Sequence, residues 1–460
     1  MKKSWKHYTK KHKVLPEIKF ENQNITGHSG LIVLFAFFKQ KRIIDKIADC
    51  FSHIKYKTVV GFHKIFIILV LHLMLGYRNL REYDCYKHDP LLLRLLGLKS
   101  FPWLSTITRN MGKADDVAIS ALHQLIKEDI LIKLASLNLK VITIDFDGSV
   151  LSTCKHAEGT AVGFNKKKKG ERSYYPLFCT IAQTGQVFDF HFRPGNVHDS
   201  NGAVDFIKSC IKSIRNYLPD IKIETRLDSA FFNDDTVELF DKEKIDFTIS
   251  VPFERFAELK SIIENRNRWN RLDTMWSYFT CRWSPKCWKN KYQFIFVRQK
   301  VKKQEKGIIQ FDLFRPVSHR YDYKVIITNK EAAFKKILNY HNGKGYQENI
   351  FSELKSQAQM DYIPTKKQNA NQLYLLAAIF AHNQIRSIQM ELKKPKENKL
   401  NMGKPLWRFK EIKIFRRRLL NLAGRLTRPK NKLTLTINDC KITKELFEGF
   451  AGKLNLPLAS

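Results

Sequence analysis

The hydrophobic period of this chain changes at residue 139, and no all-helical or all-β fold accommodates both sides of the change. Up to about residue 135 apolar residues recur at helical spacing, over 31–38, 43–51 and 65–75, then in the run 91–96 closed by Gly97. Residues 139–147 are instead short, rich in β-branched side chains and broken by Gly148, which predicts a strand. Two further strand patterns, 175–183 and 186–193, join through Thr184 and Gly185, a hairpin signal. A helix over 204–218, a strand over 221–227, a helix over 234–244 and a strand over 247–251 follow. Three strands, helix, strand, helix, strand is an α/β order with an antiparallel start.

Residues 252–330 interrupt that alternation. They hold Trp269, Trp276, Trp283 and Trp288, four of the seven tryptophans, and alternate in polarity over 292–297, which predicts a β-rich insertion. Helical periodicity returns over 332–392. Residues 393–432 carry fifteen Lys and Arg against two Glu, and a strand is expected over 432–437. The expected organisation is therefore a helical region 1–135, an α/β core in two parts (136–251 and 331–392), a β-rich insertion 252–330 between them, and a basic C-terminal region 393–460. After Pro102, residues 104–110 open a helix bearing Ser105 and Arg109, a pattern shared by DNA-reading helix-turn-helix units and by plain helical bundles.

Charge narrows the partner. Lys and Arg number 81 against 44 Asp and Glu, a formal net charge of +37, in a chain that is 43% hydrophobic. Such a chain buries a core and presents a cationic surface, which suits an anionic polymer and argues against a disordered polyelectrolyte. Eight scattered cysteines with no CxxC pair argue against a disulfide scaffold and a zinc ribbon. The start, rich in Lys, has no apolar run behind it, so no signal peptide is expected. The most apolar run, 65–75, is far short of a bilayer span, so no membrane is expected and the location is read as cytosolic.

The carboxylates carry the chemistry. Asp145 and Asp147 lie two apart at the end of a strand and share a face of the sheet. Asp228 ends a later strand. If the two strands are neighbours their ends converge, and a cation is needed to offset the repulsion. Oxygen ligands without His or Cys suit Mg²⁺ or Mn²⁺ rather than Zn²⁺. A third acid, Glu348, lies four residues after Lys344 and seven before Lys355, all on one face of a helix expected to start near Gly345.

These residues resemble, in order, the DDE transposases of bacterial insertion sequences. The resembling segments are Asp147-Gly148-Ser149, Arg226-Leu227-Asp228-Ser229-Ala230-Phe231 and Lys344…Glu348…Lys355. The chain is similar to the group with the Tyr-x2-Arg-x3-Glu-x6-Lys signature and, within it, to the insertion-sequence-1380 group. Gly76-Tyr77-Arg78-Asn79-Leu80, Ser105 to Arg109, Ser173-Tyr174-Tyr175-Pro176-Leu177, Arg193-Pro194-Gly195-Asn196 and Trp407-Arg408-Phe409-Lys410 extend the likeness over most of the chain. Two positions depart: the signature Tyr falls on His341, beside Tyr340, and the signature Arg falls on Lys344, which lacks the bidentate fork.

The resemblance implies an RNase H-like catalytic core in which Asp147, Asp228 and Glu348 bind two Mg²⁺ (or Mn²⁺) ions. It selects Asp147 over Asp145. It implies binding of terminal inverted repeats and target DNA, strand cleavage and strand transfer, and a homodimer in the synaptic complex of a bacterial, nucleoid-associated enzyme. Lys344 and Lys355 are expected at phosphates. Lys166 and Lys167 of the basic loop, Arg109 of the helix after Pro102, and Arg416 and Arg417 of the tail are expected to grip DNA. Trp283 and Trp288 are candidate base platforms, with core packing the competing role. His198 and Asp199 read as a loop following a strand. The competing functions are an RNase H-like nuclease without strand transfer and a non-catalytic or domesticated DNA-binding protein.

Overall fold

The strand that begins at the change of period, β1 (Val141–Gly148), lies third from one edge of a nine-stranded mixed sheet. This is seen in a computed structural model that describes residues 15–55, 60–154, 156–163, 165, 168–300, 321–396 and 403–458. Next come β2 (Leu177–Ile181) and β3 (Gln186–His191), antiparallel to their neighbours, with Gly185 at φ +61° in the turn between them. That left-handed conformation is one glycine adopts without a Cβ clash. Helix α6 (Ala203–Tyr217) carries the chain to β4 (Lys222–Leu227), and α7 (Asp234–Lys242) to β5 (Asp246–Val251). Both crossovers return parallel strands, since only a long connection brings the chain back in the same direction. The spatial order of these five strands is β3-β2-β1-β4-β5. The fold is mixed α/β, as expected.

Residues 252–330 interrupt the sequence but continue the sheet. β6 (Trp276–Trp283), β7 (Tyr292–Lys300) and β8 (Tyr321–Thr328) form an antiparallel meander, and β8 pairs with β5. Trp283 meets Phe256 and Phe294 edge-on and donates to Glu258, while Trp288 packs on Phe232 and Tyr292. Both rings pack against neighbouring aromatic side chains, Trp288 reaching Phe232 outside the insertion.

The helices that precede the sheet include α1 (Leu31–Gln40), α2 (Ile43–Cys50), α3 (Phe62–Leu75), α4 (Leu104–Met111) and α5 (Asp116–Ala135). The apolar α3 is buried on nearly every side, as a helix hydrophobic all round must be. It packs on the long helix α10 (Gln368–Leu392), which also contacts α5 and β3 and so ties the helical layer to the sheet. Among the described residues no helix is long and apolar enough to cross a membrane. Between β8 and α10 lie α8 (Phe334–Asn342) and α9 (Gly345–Gln357).

The C-terminal segment turns back onto the N-terminal helices. β9 (Gly424–Thr427) and β10 (Thr434–Ile437) form a small sheet with Ile25–Thr26, and α11 (Lys441–Leu454) packs on α1. Arg416 corrects the expectation of a DNA-gripping side chain. It is buried, and its guanidinium donates to the carbonyls of Leu73, Met74 and Gln357, closing the C-terminal end of α3. The Leu73 carbonyl also accepts from the Gly76 N–H at 3.1 Å, the Gln357 carbonyl belongs to the end of a later helix, and a cation at the end of α3 meets the negative end of the helix dipole.

Candidate active site

The parallel register of β1 and β4 sets Asp145 opposite Arg226. Two residues further along each strand come Asp147 and Asp228, so both carboxylates leave the same edge of the sheet, at the carboxyl ends of adjacent strands. Asp228 also caps the short turn Ser229–Phe231, accepting from the Ala230 N–H at 3.1 Å.

Beneath this pair lies a structural one. Arg226 Nε donates to Asp145 Oδ1 at 2.7 Å and Nη2 to Oδ2 at 2.5 Å, with both side chains buried. Arg226 Nη1 donates to the Tyr340 and Gly403 carbonyls, and the guanidinium lies over the Tyr340 ring. Burial alone would push this guanidinium down, but the charge and hydrogen bonds of Asp145 carry it above its ordinary range. The two aspartates of one strand face therefore divide: Asp145 is locked in the interior, while Asp147 stays 22% exposed in the cleft.

Burial, followed by the nearby charges of Asp228 and Asp199, pushes the Asp147 carboxyl up to about 6, against the opposing pull of Lys344. Lys344 Nζ stands 3.5 Å from Asp147 Oδ2. Asp199 lies in the loop after β3 and turns back to this edge of the sheet. Its Oδ2 accepts from the Tyr175 hydroxyl at 2.8 Å and its Oδ1 lies 3.4 Å from Arg193 Nη2. A Cβ on Gly148 would meet Asp199 Oδ1 at 2.4 Å and the Tyr175 hydroxyl at 2.6 Å, so any side chain after Asp147 would displace both groups. The Arg193-Pro194-Gly195-Asn196 motif running into His198-Asp199 was the available signal. Its closeness to Asp147 depends on a loop closing over the sheet edge.

Lys344 immediately precedes α9, and Gln347 on that helix is buried, donating to the Asp145 carbonyl at 3.0 Å. Glu348 lies in the first turn of α9 and is exposed, one turn beyond Lys344; Lys355 lies half-buried in the last turn. His341, at the signature Tyr position, is buried. It bonds Thr248 Oγ1 at 2.9 Å and Ser250 Oγ at 3.0 Å, fixing α8 to β5. Burial, then the charges of Lys324, Lys344 and Arg226, hold its imidazole well below the ordinary range, so it is neutral. Arg109 on α4 and Arg417 are exposed, while Lys166 and Lys167 lie outside the described residues.

The donor chemistry fits a hard divalent cation. Asp147 and Asp228 are oxygen donors, and Asp147 is raised in energy by burial and by the charge of Asp228, with Lys344 as counter-charge. Among the described residues no three His, Cys, Asp or Glu side chains are gathered as a ligand set, so Asp147 and Asp228 converge while Glu348 stands apart on α9.

A profile described as transposase DDE domain group 1 matches residues 7–457. The chain belongs to the DDE transposase family. A search of curated proteins finds no match to this transposase. Among solved structures it is similar to the piggyBac transposase synaptic complex with hairpin DNA, at 14% identity and a TM-score of 0.46, over 85% of this chain and 79% of that one. The Mos1 transposase paired-end complex with left transposon end matches at 10% identity and a TM-score of 0.17, over 42% and 60%. A Mos1 mariner paired-end complex with Mn matches at 10% identity and the same TM-score, over 50% and 78%.

Proposed function

We propose that this transposase binds the terminal inverted repeats of a bacterial insertion sequence of the 1380 group and carries out strand cleavage and strand transfer on an RNase H-like core. The observation that carries the reading is the meeting of Asp147 and Asp228 at the carboxyl ends of adjacent parallel strands, in a chain matched almost end to end by the family profile. The strand order β3-β2-β1-β4-β5, with β2 antiparallel, supports the RNase H-like assignment.

Asp147, Asp228 and Glu348 would hold two Mg²⁺ (or Mn²⁺) ions, with Glu348 brought to the carboxylate pair from its exposed place on α9. Such ions, when bound, lower the pKa of an attacking water or hydroxyl and stabilise the leaving oxygen. The remaining work belongs to positioning by the chain. Arg226 and Asp145 fix the two strand ends in register, the Tyr175–Asp199–Arg193 group braces the backbone at Gly148, and Lys344 meets a phosphate beside Asp147. Cleavage adds water across a P–O bond and leaves a 3′-OH. Transfer replaces the water by that 3′-OH, which attacks a target phosphodiester and expels a 3′ oxygen, so one bond forms as one breaks. Lys355, Arg109, Arg417, Lys166 and Lys167 contact the DNA backbone. Handling two ends calls for a homodimer in the synaptic complex, acting on DNA in the bacterial cytoplasm.

The test is strand cleavage of duplexes carrying the DNA that flanks the coding sequence, in Mg²⁺ and in EDTA, with wild type beside Asp228→Asn. New 3′ ends at the repeat boundary that need the metal and vanish in the variant are expected. Repeat binding without cutting, even in Mn²⁺, refutes the catalytic reading and favours a DNA-binding protein. Cutting without preference for the repeats favours a nuclease.

A further inference from the structure

β1, β4 and β5 are parallel, so their carboxyl ends share one edge of the sheet, where Asp147 and Asp228 lie. β8 runs antiparallel to β5 and pairs Val325 with Val251, the last residue of β5. Lys324, one residue earlier, therefore stands at that same edge, on the meander side of the carboxylates. Its Nζ lies 3.3 Å from Asn342 Oδ1, at the end of α8, two residues before Lys344. Among the described residues Lys324 makes no ion pair. Burial and the charge of Lys344 both disfavour its ammonium form, and no carboxylate acts to restore it.

Two part-buried ammonium groups close enough to disfavour one another's charge are unfavourable without an anion beside them. Among the described residues the carboxylate that pairs with Lys344 is Asp147, at 3.5 Å, and it is the group proposed to take up metal. We propose that Lys324 and Lys344 together hold one backbone phosphate of the bound DNA, on the meander side of the scissile position. Lys344 already falls in the signature; Lys324 is a contact that no motif assigns. The proposal rests on the transposase reading, and a phosphodiester is the anion that such a substrate brings to this edge.

The experiment measures affinity of the full chain for the flanking-end duplex by fluorescence anisotropy in EDTA across a salt series, for wild type, Lys324→Ala and Lys324→Arg. Thermal unfolding of each variant runs alongside as a check of folding. One lost phosphate contact reduces the slope of log K against log salt by about 0.9. Lys324→Ala is expected to show that reduction at an unchanged melting temperature, and Lys324→Arg to restore the slope. A scan of single neutral methylphosphonates through the cleavage region is expected to find one position that weakens wild type more than it weakens Lys324→Ala, where Lys344 alone still holds that phosphate. Wild-type slope in Lys324→Ala, or identical scans for the two proteins, overturns the inference while leaving the transposase reading intact. If wild type itself neither binds the end duplex nor cuts it in Mg²⁺, the transposase reading fails and takes this inference with it.

Discussion

Arg226→Met tests whether the buried pair beneath the carboxylates holds the site in register. The substitution keeps most of the side-chain volume and removes the charge, leaving Asp145 buried and without its cation. Breaking a buried ion pair from one side costs roughly 3–5 kcal/mol. The loss of hydrogen bonds to the Tyr340 and Gly403 carbonyls adds about 1 kcal/mol or more. Arg226→Met should thus destabilise by about 4–6 kcal/mol, and Asp145→Leu by a comparable ~3–5 kcal/mol, because it strands the guanidinium instead. In Asp145→Leu/Arg226→Met neither charge remains, and mainly the two carbonyl bonds are lost, about 1–3 kcal/mol in all. The singles then sum to several kcal/mol more than the double, a coupling far larger than the few tenths expected of independent sites. Urea unfolding of the four proteins, followed by tryptophan fluorescence and far-UV circular dichroism together, measures it. Additive single effects, or a cost below about 1 kcal/mol for Arg226→Met, would refute the argument that this pair sets the strand register.

Three further outcomes follow from the same geometry. The folded Asp147 carboxyl, at about 6, lies above its ordinary value, so the folded metal-free protein binds the extra proton between the two. Its contribution to stability is present at low pH and is lost as pH rises through about 6; Asp147→Asn should melt higher than wild type in EDTA at pH 7.5, by up to about 3 kcal/mol of stability, and equally at pH 4. Equal melting at both values would sink the electrostatic account. Arg416→Ala should lower stability by roughly 2–3 kcal/mol with the salt slope of DNA binding unchanged, whereas Arg417→Ala should change the slope and not the melting temperature. Gly148→Ala should cost about 1–3 kcal/mol and slow cleavage, since its Cβ would press on Asp199 and Tyr175; full activity in that variant would show the brace to be dispensable.

Much of the architecture was legible along the chain because periodicity is a local signal. The strand at 139–147 is observed as Val141–Gly148, the helix at 204–218 as Ala203–Tyr217, and the helix expected near Gly345 as Gly345–Gln357. Asp147 and Asp228 could be read as strand-end carboxylates for the same reason. Their juxtaposition required knowing that the strands are neighbours in parallel register, which no local pattern encodes.

The sequence by itself determined the order of strands and helices, the cationic surface, and the family motifs, since these depend on residues a few positions apart. Tertiary structure decided what each charged group does, because the electrostatic environment of a side chain is made by residues distant in the chain. Asp145 and Asp147 share a strand face, yet Arg226, 81 residues away from Asp145, buries one as a structural partner and leaves the other in the cleft. Arg416 sits in the most basic stretch of the tail and is turned inward to the terminal carbonyls of a helix over three hundred residues earlier. Asp199 and Lys324, unremarkable in sequence, reach the carboxylate edge only because a loop folds over Gly148 and a meander extends the sheet.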